Sequence, residues 1–92
     1  MRLTKTQHEL LTRAVKHPHG VIAIISGVVS SRRNGRYGVR ERDAAYKLGK
    51  AGLLQHIETH ASTHHLCHGF GSDYGHEAVY RITDSGRQAI EN

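Results

Sequence analysis

The last third of the chain constrains its fold most. There the stretch from Ala78 to Ile90, with Tyr80, Ile82, Thr83 and Gly86, follows a histidine-laden, glycine-broken segment, which itself follows a helical pattern ending in Leu48, Gly52, Leu53 and Leu54. Tyr80 and Ile82 alternate as strand residues do, and Thr83 is placed to cap a short final helix. Gly52 suits a helix end, where the backbone often needs a positive φ. Leu53 to Thr63 and Ala78 to Ile82 then read as two antiparallel strands, with Gly69, Gly71 and Gly75 in the connection between them.

Upstream, Leu3, Gln7, Leu10, Leu11, Ala14 and Val15 recur at helical spacing, Thr4 and Gln7 match a capping box, and Pro18 stops the pattern. This predicts a first helix over about Lys5 to Lys16. Gly20 introduces the β-branched run Val21 to Ile25 as a strand. Gly27 to Gly38 mixes a short apolar pair with turn residues and arginines, and the pattern there fits a helix, a strand or a loop equally. From Val39 to Ala51, Ala44, Ala45, Leu48 and Ala51 line one helix face with the stem of Glu41, leaving Arg42, Asp43, Tyr46, Gly49 and Lys50 on the other. Ala89 and Ile90 are placed to pack against the first helix.

At 92 residues the chain makes one small α+β domain whose core is just sufficient, so a second copy that completes the burial, a homodimer, is expected. Cys67 is a lone cysteine and cannot form an internal disulfide. The longest apolar run is far too short to cross a bilayer, so no membrane association is expected and the compartment reads as cytoplasmic.

Lys and Arg number 13 against 8 Asp and Glu, a net charge of +5 with neutral histidines, which favours polyanionic partners. The excess is local: Arg32, Arg33, Arg36, Arg40, Arg42, Lys47 and Lys50 crowd one stretch, interleaved with Tyr37 and Tyr46 and offset only by Glu41 and Asp43. Arginine's planar fork suits phosphate and guanine, and Gly35 and Gly38 allow close backbone approach. Duplex DNA is the partner this surface predicts, with Arg32, Arg33, Arg36, Arg40, Arg42, Tyr46, Lys47 and Lys50 as its contacts.

Nine histidines is far above ordinary usage, and His56, His60, His64, His65, His68 and His76 gather around Cys67. Strand alternation sets His65 and Cys67 on one face, and likewise His56, His60 and His64. Imidazole and thiolate are ligands Zn²⁺ favours, so His65, Cys67 and His68 with His60 or His76 form a candidate zinc set. The competing reading is a polar hairpin whose histidines are solvated or touch phosphates. Nothing pairs Cys67 with an oriented base, and there is no glycine-rich phosphate loop, so no enzymatic activity is expected.

The opening Leu3, Thr4 and Gln7, the helix ending Ala51-Gly52-Leu53-Leu54 and the closing Tyr80, Ile82, Thr83, Gly86 and Arg87 resemble the winged-helix regulators of the MarR, PadR and ArsR type, over about two-thirds of the chain. The resemblance implies a first helix, a short strand, a recognition helix, a long two-stranded wing and a short C-terminal helix. It places Arg42, Tyr46, Lys47 and Lys50 at DNA, with Arg40 near the helix start, and makes transcriptional regulation the expected role. The departure lies between Gly20 and Gly38, where such proteins carry a helix and a tight turn. Two other roles follow from the same resemblance. Small winged-helix proteins of phages and other mobile elements bind host complexes, inhibitors of CRISPR defence among them, and ArsR-type repressors respond to metal, here through the histidine-rich wing.

Overall fold

A computed structural model of the protein describes residues 2–29, 35–62 and 74–91. In chain order the elements are α1 (Lys5–Lys16), β1 (Val21–Val29), β2 (Gly35–Tyr37), α2 (Val39–Lys50), β3 (Leu54–Ser62), β4 (Tyr74–Ile82) and α3 (Asp84–Glu91). The four strands form one antiparallel sheet in the order β2-β1-β4-β3. The α+β class is as expected.

The local signals in the sequence act as their chemistry requires. The Thr4 hydroxyl accepts from the Gln7 N–H at 3.2 Å while the Thr4 N–H donates to Gln7 Oε1 at 2.9 Å, satisfying two donors that the helix itself leaves free. At the other end of the chain Thr83 ties three elements together. Its hydroxyl donates to the Gly52 carbonyl at 2.6 Å and accepts from the Gly86 N–H at 3.0 Å, and its own N–H donates to the Leu53 carbonyl. The end of α2, the end of β4 and the start of α3 therefore meet at one side chain.

One core joins the helices to a single face of the sheet. It is built from Leu10, Leu11 and Ala14 of α1, Ile22 and Ile24 of β1, Ala44, Ala45 and Leu48 of α2, Leu54 of β3 and Ile82 of β4. Leu10, Leu11, Ile24 and Leu48 are fully enclosed, each worth about 1.5–3 kcal/mol relative to an exposed position. Ala44 and Ala45 are small enough to let α2 lie close to its neighbours. Leu3, Leu53, Tyr80, Ala89 and Ile90 pack around this core, which gives α3 its expected apolar contact.

Several expectations are modified. The strand beginning at Val21 runs on to Val29, and the returning strand begins at Tyr74 rather than Ala78. β4 pairs with β1 from Val21↔Arg81 to Val28↔Tyr74 as well as with β3, so the hairpin is half of a four-stranded sheet instead of a free two-stranded wing. Among the described residues, α2 is preceded by β2 and not by a helix and turn. Pairing with β4 as far as Val28, and with β2 from Gly27 to Val29, holds this stretch in the sheet despite its weak local pattern. Ala51 is exposed as the cap of α2, and Gly49 is half-buried instead of lying on the outer face.

Two positive-φ glycines bound α2, and they differ in their surroundings. Gly38 at the N-cap has φ 68°, and a Cβ there would overlap the Ile25 carbonyl oxygen; Gly52 has φ 80° with nothing within 4 Å. Gly38→Ala therefore suffers strain and collision together and loses upward of about 2 kcal/mol, while Gly52→Ala loses about 1 kcal/mol from backbone strain alone. Urea unfolding of the two variants at 25 °C gives the order directly, and equal losses would contradict the close approach of Gly38 to β1.

Candidate nucleic-acid interface

The buried stripe of Ala44, Ala45 and Leu48 fixes the rotation of α2 and so decides what it presents to solvent. Arg40, Arg42, Asp43, Tyr46, Lys47 and Lys50 are all exposed, Tyr46 at 51%. Arg36 lies opposite Val28 in the β1–β2 register and is exposed on the helix side of the sheet. The structure thus brings Arg36 and the α2 residues of the predicted interface to the same side of the sheet, while Arg32 and Arg33 lie outside the described residues.

The two acidic residues of α2 are already engaged. Glu41 meets Arg13 of α1 at 3.4 Å and Asp43 meets Arg42 at 3.6 Å. All four side chains are about half exposed, so each pair is worth little in water and is readily exchanged for a phosphate. The Lys50 ammonium sits 5.4 Å from the centroid of the Tyr46 ring, a cation–π contact at the surface.

Between α2 and the β3–β4 hairpin runs an open cleft of about 590 Å³ with Tyr46, Gly49 and Lys50 on the helix side and Leu54, His56 and Tyr80 on the sheet side. Tyr46 and Tyr80 also line an adjoining hollow with Arg42, Thr59 and His76. The His56 and Tyr80 rings meet edge to face, 5.2 Å apart at 67°. The sequence pattern carried Tyr46 and Lys50 but gave no sign of Tyr80 or His56 as their neighbours, because that juxtaposition depends on the β3–β4 register.

The register also rearranges the histidines. β3 steps from His56↔Tyr80 to Glu58↔Val79, leaving Ile57 as an extra residue in a β-bulge. One extra residue inverts the alternation, so His56 falls on the helix side of the sheet and His60 on the outer side, where it pairs with Glu77 at 2.7 Å. The expected common face for His56 and His60 is therefore lost. His76 pairs with Ala61 and lies on the helix side, so His60 and His76 cannot belong to one ligand set. His65, Cys67 and His68 lie outside the described residues; among the described residues no group of three His, Cys, Asp or Glu side chains converges as metal ligands would. No helix among them is long and apolar enough to cross a membrane.

Partial burial in the cleft raises the pKa of the Tyr80 phenol above its ordinary value of 10.0. As pH climbs through 10 the unfolded chain ionises before the folded one does, so stability present below pH 10 is lost as pH rises through the folded-state pKa. Urea midpoints measured from pH 8 to pH 11 should fall less steeply for Tyr80→Phe than for the parent protein; parallel curves would mean that Tyr80 is solvated. Comparison with family models, with curated proteins and with solved structures finds no match to this chain, so its own residues carry the functional argument.

Proposed function

We propose that the protein binds duplex DNA through the exposed face of α2 and the basic segment that precedes it, and that it serves as a transcriptional regulator. The observation that carries this reading is the charge of one helix surface. Arg40, Arg42, Lys47 and Lys50 project from α2 with Arg36 before it, and the only acids on the helix, Glu41 and Asp43, are paired with arginines. An α-helix fits the major groove, arginine and lysine neutralise phosphates, and Tyr46 offers an apolar edge among them. The regulatory role is an inference from the winged-helix resemblance and not from the chemistry of the site.

Anisotropy of a labelled mixed-sequence duplex across a salt series tests the surface. Binding should weaken linearly on a logarithmic salt scale, and replacing Arg36, Arg42 and Lys50 together with alanine should reduce the slope by roughly 2 to 3, about 0.9 for each phosphate contact removed. Substitutions at such exposed positions should leave stability within about 0.5 kcal/mol. A salt slope unchanged in the triple variant would remove this surface from consideration.

A second reading, association with protein and first of all with another copy of the chain, draws on the outer face of the sheet. All the core contacts of the helices lie on the other side, while Val21, Ile25 and Val79 are half-buried here and Ala23 is exposed. Glu77 and Arg81 stand on this face four positions apart along β4, so a two-fold axis that reverses the strands sets one copy's Arg81 against the other's Glu77. Val79→Glu should convert a dimer to a monomer in sedimentation equilibrium; a parent chain that is monomeric at high concentration sinks the idea.

A further inference from the structure

Gly49 sits inside α2, where glycine is about 1 kcal/mol less favourable than alanine, yet nothing among the described residues demands it. Its φ is not positive. A Cβ placed there would stand 3.8 Å from Tyr80 Cε2 and 3.9 Å from the Leu54 carbonyl oxygen, both ordinary van der Waals distances. An alanine would fit and would strengthen the helix. What the missing methyl does provide is room, because Gly49 lies in the cleft between α2 and the β3–β4 hairpin, between Tyr46 on one side and Tyr80 on the other.

We infer that this cleft takes an unpaired nucleobase of a DNA strand, stacked against Tyr46 or Tyr80, with Lys50 on the adjoining phosphate. The inference rests on the nucleic-acid reading above and adds the ligand of one particular site. The cleft is open to solvent, and its volume of about 590 Å³ leaves room for a flat base to enter edge-on. Its walls are aromatic and aliphatic, as a flat, weakly polar base requires: Tyr46, Tyr80, His56 and Leu54. Its rim is cationic, with Lys50 in the cleft, Lys47 beside it and Arg42 in the adjoining hollow, as the phosphates on either side of a base require. The Tyr46 ring already carries the Lys50 ammonium at 5.4 Å, so one face of that ring is accessible from solvent. On binding, the lysine moves from the ring to a phosphate and a base takes its place. Stacking on aromatic side chains tolerates any sequence, because each base presents a π face.

The test uses three labelled probes with the intact protein: a short oligothymidylate, an abasic strand of the same length and charge, and a mixed-sequence duplex. The oligothymidylate should bind at least tenfold more tightly than the abasic strand. Gly49→Ala should raise the urea midpoint while weakening oligothymidylate binding several-fold and leaving the abasic strand unaffected, a split that a purely structural role for Gly49 does not produce. Tyr46→Phe, which keeps the ring, should retain binding that Tyr46→Ala loses. Equal affinity for the base-bearing and abasic strands would overturn the cleft proposal and, if the duplex still binds, leave the duplex reading standing. Failure of all three probes at low salt would overturn both.

Discussion

The close approach of Gly38 to the Ile25 carbonyl of β1 is the contact on which the rest of the molecule depends. With a side chain there, the start of α2 would stand away from the sheet, and Ala44, Ala45 and Leu48 would lose the surface they cover. Because the helix is pinned at its N-cap and buried along one narrow stripe, its rotation is fixed, and its arginines and lysines are confined to the remaining, exposed arc. The electrostatic character of the protein is thus a by-product of packing: small residues inside leave the long cationic ones outside.

A second constraint, the bulge at Ile57, works on the opposite wall of the cleft. It turns β3 over by one residue just after His56, which stands beside Tyr80, and so sends His60 to the far side of the sheet. The bulge also falls on an edge strand, where an irregularity discourages pairing with another chain's edge. Without it, His56 and His60 would have shared a surface, and Thr59 would have turned away from the hollow beside the cleft.

Much of this was legible in the residues themselves. α1 coincides with the predicted Lys5 to Lys16 because Thr4, Gln7 and the spacing of Leu10, Leu11 and Ala14 are all local signals, and the same holds for Thr83 at the start of α3. α2 was legible to within a residue. What escaped was set by contacts between distant segments: the run of β1 beyond Ile25, the three-residue β2, and the bulge that rearranges the histidines. The basic residues of α2 could be read from sequence because charge and helical period are local. Tyr80 and His56 could not be read as their neighbours, since only strand register brings them there. Gly49 could be placed on this helix from its period, but its setting against Tyr80 could not.

The sheet's central pairing joins Val21 to Arg81, so its two strands come from opposite ends of the described chain. Loop closure over that distance delays folding relative to a helical protein of similar size, where contacts are local. It also orders events during synthesis. α1 and α2 leave the ribosome early, but β1 has no partner over most of its length until β4 follows. The core beneath α2 is completed only when Ile82 takes its place, so a nascent chain that has emerged only as far as β3 still lacks the ordered surface that α2 presents.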